Sequence, residues 1–307
     1  MGGYTASDIA SIFAMQGVAG LSLFGVFLLM ALGLAIIFGQ MGVVNMAHGE
    51  FLTLGSYVTF VTATGFETYA PGAFTYYFPL AIILSFAGAF AVGYLLEFGL
   101  VRHLYKRPLD TLLATWAVGL IMQQVFRSIF GGRGVSAGTP DWLQGSIELT
   151  PLIFLSRSDL FVTALAIGMT VFVGLLLHRF RWGIRVRSTT QDRAMADAVG
   201  INTEKVDRKT FALGCGLAGI AGSAFTTIAA TTPTAGSQYL VDTFLVVVLG
   251  GAASLLGTVA SAFSIAQAQS ILEFFLTGSM AKVMTLLVVI GLLLLRPQGL
   301  FTIKVRK

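Results

Sequence analysis

Between Ile12 and Phe38 the chain carries no charged side chain. A helix needs roughly 20 apolar residues to cross a bilayer, and this stretch is only the first of several. Pro79 to Leu96, Thr111 to Phe126, Leu160 to Leu177, Thr210 to Val241, Thr243 to Leu272 and Val283 to Leu295 are also free of charge, while Phe51 to Thr64 is apolar but short for a full span. A soluble fold carries charge on about a quarter of its residues. Here 11% of 307 residues are charged, 56% are hydrophobic and mean hydropathy is +0.85. A soluble enzyme, a disordered tail and a coiled coil are thereby excluded. The runs are continuous rather than alternating, so they read as helices and not as barrel strands. The predicted fold is all-α, a polytopic membrane helical bundle of about 8–10 transmembrane helices.

Lys and Arg set the orientation. None precedes Arg102. Arg102, Lys106 and Arg107 then cluster, eight of the 19 basic residues fall between Arg179 and Lys209, and Arg296, Lys304, Arg306 and Lys307 close the chain. These three segments, the C-terminus included, are expected on the cytoplasmic side. The segments near Glu67 and from Gly131 to Asp159 are poor in Lys and Arg and are expected outside. Nine spans with the N-terminus outside fit this alternation, and ten with it inside also fit. The net charge of +5 follows from the same bias and does not call for nucleic acid. The apolar run after the first ten residues exceeds a signal-peptide core, so it reads as an uncleaved first span. A lone Cys215 excludes an internal disulfide, and His48, His103 and His178 lie too far apart in sequence to suggest a metal site.

Polar residues interrupt the apolar pattern between Gln40 and Glu50. A polar side chain at membrane depth is costly unless it faces protein or a water-filled cavity, and unwound backbone is tolerated only there. One reading is a broken helix lining a translocation path, with Gly42, Asn45, His48 and Glu50 on it. The other is a cytoplasmic turn in which Asn45 or His48 caps the next helix. Leu245 to Phe263 repeats the pattern of apolar run, glycines, small polar residue and apolar run, with Gly250, Gly251, Ser254 and Gly257. Paired glycine-interrupted helices mark substrate paths in transporters, although membrane helices also use glycine for close packing.

Arg179 to Lys209 is the longest polar stretch. Thr190 is placed to cap a short helix from Gln191 to Val199, which Gly200 ends. Asp192, Arg193 and Asp197 make that helix amphipathic beside Ala194, Met195, Ala196 and Ala198. It suits either a groove in a partner protein or the lipid headgroups.

No Gly-Lys pair occurs anywhere, so the chain has no Walker A loop and no ATPase centre of its own. A potassium-filter motif is also missing. Ser22 and His48 form the one imaginable reactive pair, with nothing else in support. A stand-alone channel or secondary carrier stays open as a rival class.

Gly33 to Phe51 (GLAIIFGQMGVVNMAHGEF), Asp242 to Thr258 (DTFLVVVLGGAASLLGT) and the tail Arg296 to Phe301 (RPQGLF) closely resemble signatures of the permeases of branched-chain-amino-acid-type ABC importers. The likeness runs from about Met15 to Phe301. Four stretches look most like the urea permease branch: Arg107 to Trp116, Phe126 to Gly131, Thr189 to Ala196 and Val206 to Gly219. Residues 130–136 and Ala252-Ala253 depart from that pattern, so a carrier of a related short amide fits too. The resemblance implies a single transmembrane permease domain over 1–307, a non-catalytic subunit of the bacterial inner membrane with no cofactor of its own. Its implied partners are a second homologous permease, two ATPase subunits and a periplasmic solute-binding protein, which would dock on outer loops that include Trp142. Within the cytoplasmic segment 179–209, Thr189 to Gly200 would be the coupling helix, with Asp192, Arg193, Ala194, Ala196 and Gly200 on it. Urea needs hydrogen-bonding groups but no counter-charge, and Asn45, carbonyls near Gly42 and Gly250, and Ser254 would supply them. An amino acid would also need groups for its two charges and an apolar pocket.

Overall fold

The computed structural model describes residues 6–105, 107–150, 153–251, 254–296 and 299. Among these residues eleven α-helices run in the order α1 (Ala6–Met41), α2 (His48–Tyr69), α3 (Tyr77–Gly99), α4 (Pro108–Phe130), α5 (Arg157–Arg179), α6 (Arg181–Gln191), α7 (Arg193–Ala198), α8 (Thr203–Phe225), α9 (Ala235–Gly250), α10 (Leu255–Phe275) and α11 (Gly278–Leu295). One antiparallel hairpin, β1 (Ser146–Thr150) with β2 (Ile153–Ser156), sits between α4 and α5. Among the described residues six helices are long and apolar enough to cross a membrane: α1, α3, α4, α5, α10 and α11. Three more long helices, α2, α8 and α9, complete an all-α bundle. The charge-free run from Thr210 to Val241 is not one helix. It stops at Phe225 and restarts at Ala235, with Thr231 bridging to Val135 between the two. Pro233 in that gap has no N–H to give to a continuing helix. The run from Thr243 to Leu272 is likewise divided, at Gly251.

Glycine on α8 explains how the bundle closes. A Cβ on Gly214 would strike the Gly33 carbonyl of α1, one on Gly219 the Ser85 carbonyl of α3, and one on Gly222 the Leu52 carbonyl of α2. Helices in a membrane gain little from hydrophobic exclusion, so small residues that let backbones touch, and hydroxyls that bond across, hold them together. Ser56 Oγ donates to the Gly222 carbonyl at 3.0 Å, and Thr59 Oγ1 to Ser223 Oγ at 2.8 Å. Every residue of α8 from Thr210 to Phe225 is buried, as is every residue of α1 from Phe24 to Ile37. By contrast, α4 and α11 present most of their apolar surface outward.

Two ends of the bundle can be told apart. At one, Thr190 Oγ1 donates to the Gln40 carbonyl at 2.8 Å, and the α3–α4 linker lies beside α7. Two of the three basic segments therefore share an end. The third, beyond Arg296, lies almost wholly outside the described residues, as do Lys106 and Ala252-Ala253. At the other end, Trp142 Nε1 donates to the Thr75 carbonyl at 2.9 Å, and the hairpin lies over Met15, Val18 and Ala19 of α1.

The two glycine interruptions fold alike. α1 ends at Gly42 with φ +66°, and α9 ends at Gly251 with φ +83°. Only glycine takes such a backbone without cost. Helix α1 packs on α10 and α2 packs on α9, so each interrupted pair embraces the other.

Candidate translocation path and coupling segment

After Gly42 the chain does not turn on the surface. It runs back between the helices, burying Val43, Asn45 and Ala47. Asn45 Oδ1 accepts from the Ala47 N–H at 3.1 Å, and the Met46 N–H donates to Thr115 Oγ1 at 3.1 Å. Helix α2 then starts at His48, whose Nε2 lies 3.1 Å from the Met30 carbonyl. Met30 is eleven positions before the end of α1, which at 1.5 Å per residue is about 16 Å up the bundle. Six residues of extended chain reach about 20 Å, so the climb is feasible. No side chain caps α2, and its N-cap is Ala47. The capping alternative for Asn45 and His48 is thus not the arrangement seen. Ser22 and His48 form no reactive pair among the described residues: His48 Nε2 faces the Met30 carbonyl, and Ser22 does not reach Nδ1.

Glu50 Oε1 accepts from Gln123 Nε2 of α4 at 2.8 Å. Asn45 Nδ2, His48 Nδ1 and Glu50 Oε2 are each buried without a hydrogen-bond partner among the described residues. Three such atoms within six positions form a polar track deep in the bundle, able to offer both donors and acceptors. Gly250 and Ser254 do not join it. Ser254 caps α10, accepting from the Gly257 N–H at 3.0 Å, and Gly250 packs against Gly257. The other end of α9 meets the track: Gly236 touches Gly49, and its N–H donates to Thr53 Oγ1 at 2.9 Å.

The predicted helix from Gln191 to Val199 is corrected. Helix α6 runs through Gln191, Thr190 lies within it, and the cap is Asp192, which accepts from the Met195 N–H at 2.9 Å. Asp192 is extended (φ −151°, ψ 102°) and so breaks α6 from α7. Gly200 ends the segment with φ +86°, as its C-cap reading requires. Ala196 faces inward, while Met195 and Val199 are 61% and 69% exposed. Ala194 is exposed as well.

Residues 17–295 match the family described as branched-chain amino acid transport system / permease component. This chain belongs to that family. The permease is 26% identical to the high-affinity branched-chain amino acid transport system permease protein LivH of Escherichia coli K12, over 94% of this chain and 95% of that one. It is 25% identical to the probable branched-chain amino acid transport permease protein LivH of Methanocaldococcus jannaschii, over 89% and 87%. It is 24% identical to the high-affinity branched-chain amino acid transport system permease protein BraD of Pseudomonas aeruginosa, over 94% and 95%. No solved structure matches it.

A charge cluster ties α7 to the body of the permease. Arg193, the first residue of α7, pairs with Asp207 of α8 at 2.6 Å and lies over the Tyr105 ring. Tyr105 donates to Glu97 Oε1 at 2.7 Å, and Arg208 Nε donates to Glu97 Oε2 at 2.9 Å. Glu97 is fully buried, a position a carboxylate holds only when paired and hydrogen-bonded. Burial pushes the Tyr105 phenol well up, and the Glu97 carboxylate adds to it. Asp207, in the charged first turns of α8 ahead of its apolar part, is raised by burial to about 6, against the pull of Arg193. Sequence reasoning missed Gln123, Thr115, Glu97, Tyr105 and Arg208. Gln123 had a signal, a polar side chain inside the charge-free run of α4. The Glu97–Arg208 pair, 111 positions apart, had none.

Proposed function

We propose that this permease forms half of the membrane channel of an ATP-driven importer in the bacterial inner membrane, and that its solute is a branched-chain amino acid. The observation that carries the solute is the unbroken likeness to LivH and BraD, proteins named for that transport, over about nine-tenths of every chain compared. A periplasmic binding protein delivers the solute, a second permease completes the path, and two ATPase subunits supply the work. The C-terminus lies in the cytoplasm.

In this reading the path passes Asn45, His48 and Glu50. ATP binding drives the ATPases against α6–α7, and the Asp192 cap, Arg193 and Gly200 hold α7 in place to receive the push. The outward Ala194, Met195 and Val199 are the contact surface, while Ala196 anchors it. Urea is a second and narrower reading, favoured by the four stretches described above. None of the relatives compared above is named for urea. Uptake of labelled leucine and of labelled urea, in cells lacking this subunit and in cells with it restored, separates the two. Loss and recovery of leucine uptake alone supports the amino acid. Loss and recovery of urea uptake alone supports the narrower reading. Uptake of either solute by the subunit without ATPases would defeat both.

A further inference from the structure

A cavity of about 770 Å3 opens between the α3–α4 linker and α7, lined by Met41, Arg102, His103, Tyr105, Arg107, Arg193 and Asp207. Its charges do not cancel. Arg193 is taken by Asp207, and the Tyr105 hydroxyl by Glu97. Arg102 has no acidic partner among the described residues: its guanidinium lies 4.3 Å over the Phe98 ring, and its Nε donates to His103 Nε2. Arg107 is paired with Asp110 at 3.6 Å, but the two side chains are 74% and 52% exposed, and such a surface pair is weak. Two guanidinium groups therefore face one cavity without a buried counter-ion among the described residues. The planar fork of arginine matches a phosphate's oxygens.

The surroundings say which phosphate. The linker joins two membrane-crossing helices, and the turns on either side of it expose Leu95 and Phe98 on α3 and Leu109 and Leu113 on α4. An ion free in water gains nothing from these four side chains, whereas acyl chains hanging from a headgroup would lie against them. Basic pockets at helix ends on the cytoplasmic side suit anionic headgroups.

We propose that this cavity is a binding site for the headgroup of an anionic phospholipid, held by Arg102 and Arg107, with its acyl chains along the outer faces of α3 and α4. The inference goes beyond the transport reading and stands whichever solute is carried.

Native mass spectrometry of the full-length chain in detergent tests it, with phosphatidylglycerol, phosphatidylcholine of the same acyl chains, and inorganic phosphate as probes. Phosphatidylglycerol is expected to be retained, and Arg102→Gln with Arg107→Gln to cut that retention about tenfold while leaving phosphatidylcholine unchanged. Should that variant fail to fold, Arg102→Lys with Arg107→Lys keeps both charges but loses the fork, and retention falls between the two. Equal retention of both lipids, or retention unmoved in both variants, overturns the site. Displacement of the lipid by inorganic phosphate assigns the arginines to a free anion and overturns the lipid. Expulsion of the lipid when the ATPase subunits assemble gives the cavity to a protein partner and overturns it too.

Discussion

His48 Nε2 lies 3.1 Å from the Met30 carbonyl oxygen, so the first residue of α2 is fastened to the middle of α1. The bond fixes how far the segment from Gly42 to Ala47 climbs into the bundle. The ring is fully buried, so His48→Ala removes both the bond and the volume. A loss of about 2 kcal/mol is expected, read as a lower thermal midpoint in detergent. His48→Gln, which keeps a donor, should recover part of it.

Glycine gives predictions of opposite sign. At Gly222 an added Cβ meets the backbone of α2 at Leu52 and Ser56, which cannot yield, so Gly222→Ala should cost about 1–3 kcal/mol or abolish assembly. At Gly65, also within a helix, nothing lies within 4 Å. Gly65→Ala should be neutral or stabilising by up to about 1 kcal/mol, because alanine gives up less backbone freedom. Thermal midpoints of the two variants side by side decide it.

The surface of α7 is not the one its sequence suggests. Ala196 looked interchangeable with Ala194, but it is 3% exposed, and its carbonyl accepts from the Ile201 N–H. Met195→Glu should therefore abolish transport-coupled ATP hydrolysis while leaving the amount and stability of the permease itself unchanged. Ala196→Glu should lower both together, since it buries a charge. Asp192→Ala removes the cap and should cost about 1 kcal/mol. ATPase assays on the reconstituted complex, beside the thermal midpoint of the permease alone, tell these outcomes apart.

These examples show what the chain announces and what it withholds. Spans such as α1, α3 and α5 are legible because a run without charge has one physical explanation. Gly200 is legible as a terminator because few other residues accept a positive φ. The break after Met41 was visible in Asn45, His48 and Glu50, but not its depth, which depends on Met30 and Thr115 being where they are. Thr190 and Asp192 are both capping residues two positions apart, and local propensity cannot choose between them. Gly250 and Ser254 were grouped with Asn45 because the two segments are alike in pattern. Likeness does not say which ends meet, and α9 brings Gly236 to the track instead, about 21 Å from Gly250 by helical rise.

Asp207 makes stability depend on pH. Its carboxyl is raised from 3.8 to about 6, chiefly by burial. A carboxylate raised in the folded state binds its proton more tightly there than in the unfolded chain, so ionising it costs stability. That cost is absent well below pH 4, grows between about 4 and about 6, and is constant above. Asp207→Asn should flatten this part of the curve. A thermal midpoint that varies equally with pH in both proteins would assign the dependence to other groups.

Asn45 offers the most direct probe of the path. Its side chain is fully buried, and its Nδ2 has no hydrogen-bond partner among the described residues. A cysteine there, in a chain whose buried Cys215 has been replaced by alanine, should be silent to a small membrane-permeant thiol reagent in the resting complex. If the track from Asn45 to Glu50 carries solute, moving the two permeases apart must wet it. Trapping the ATPases with a non-hydrolysable nucleotide should then raise the labelling rate at least about tenfold, since even a minor open state of a few per cent becoming dominant has that effect. A cysteine at Ala266, equally buried on α10 beside Gln267 and Ser270, which bond Gly17 and Gln16 near the start of α1, should stay silent in both states. Labelling at position 45 that never responds to nucleotide would make the buried polar atoms a packing feature and remove them from the path.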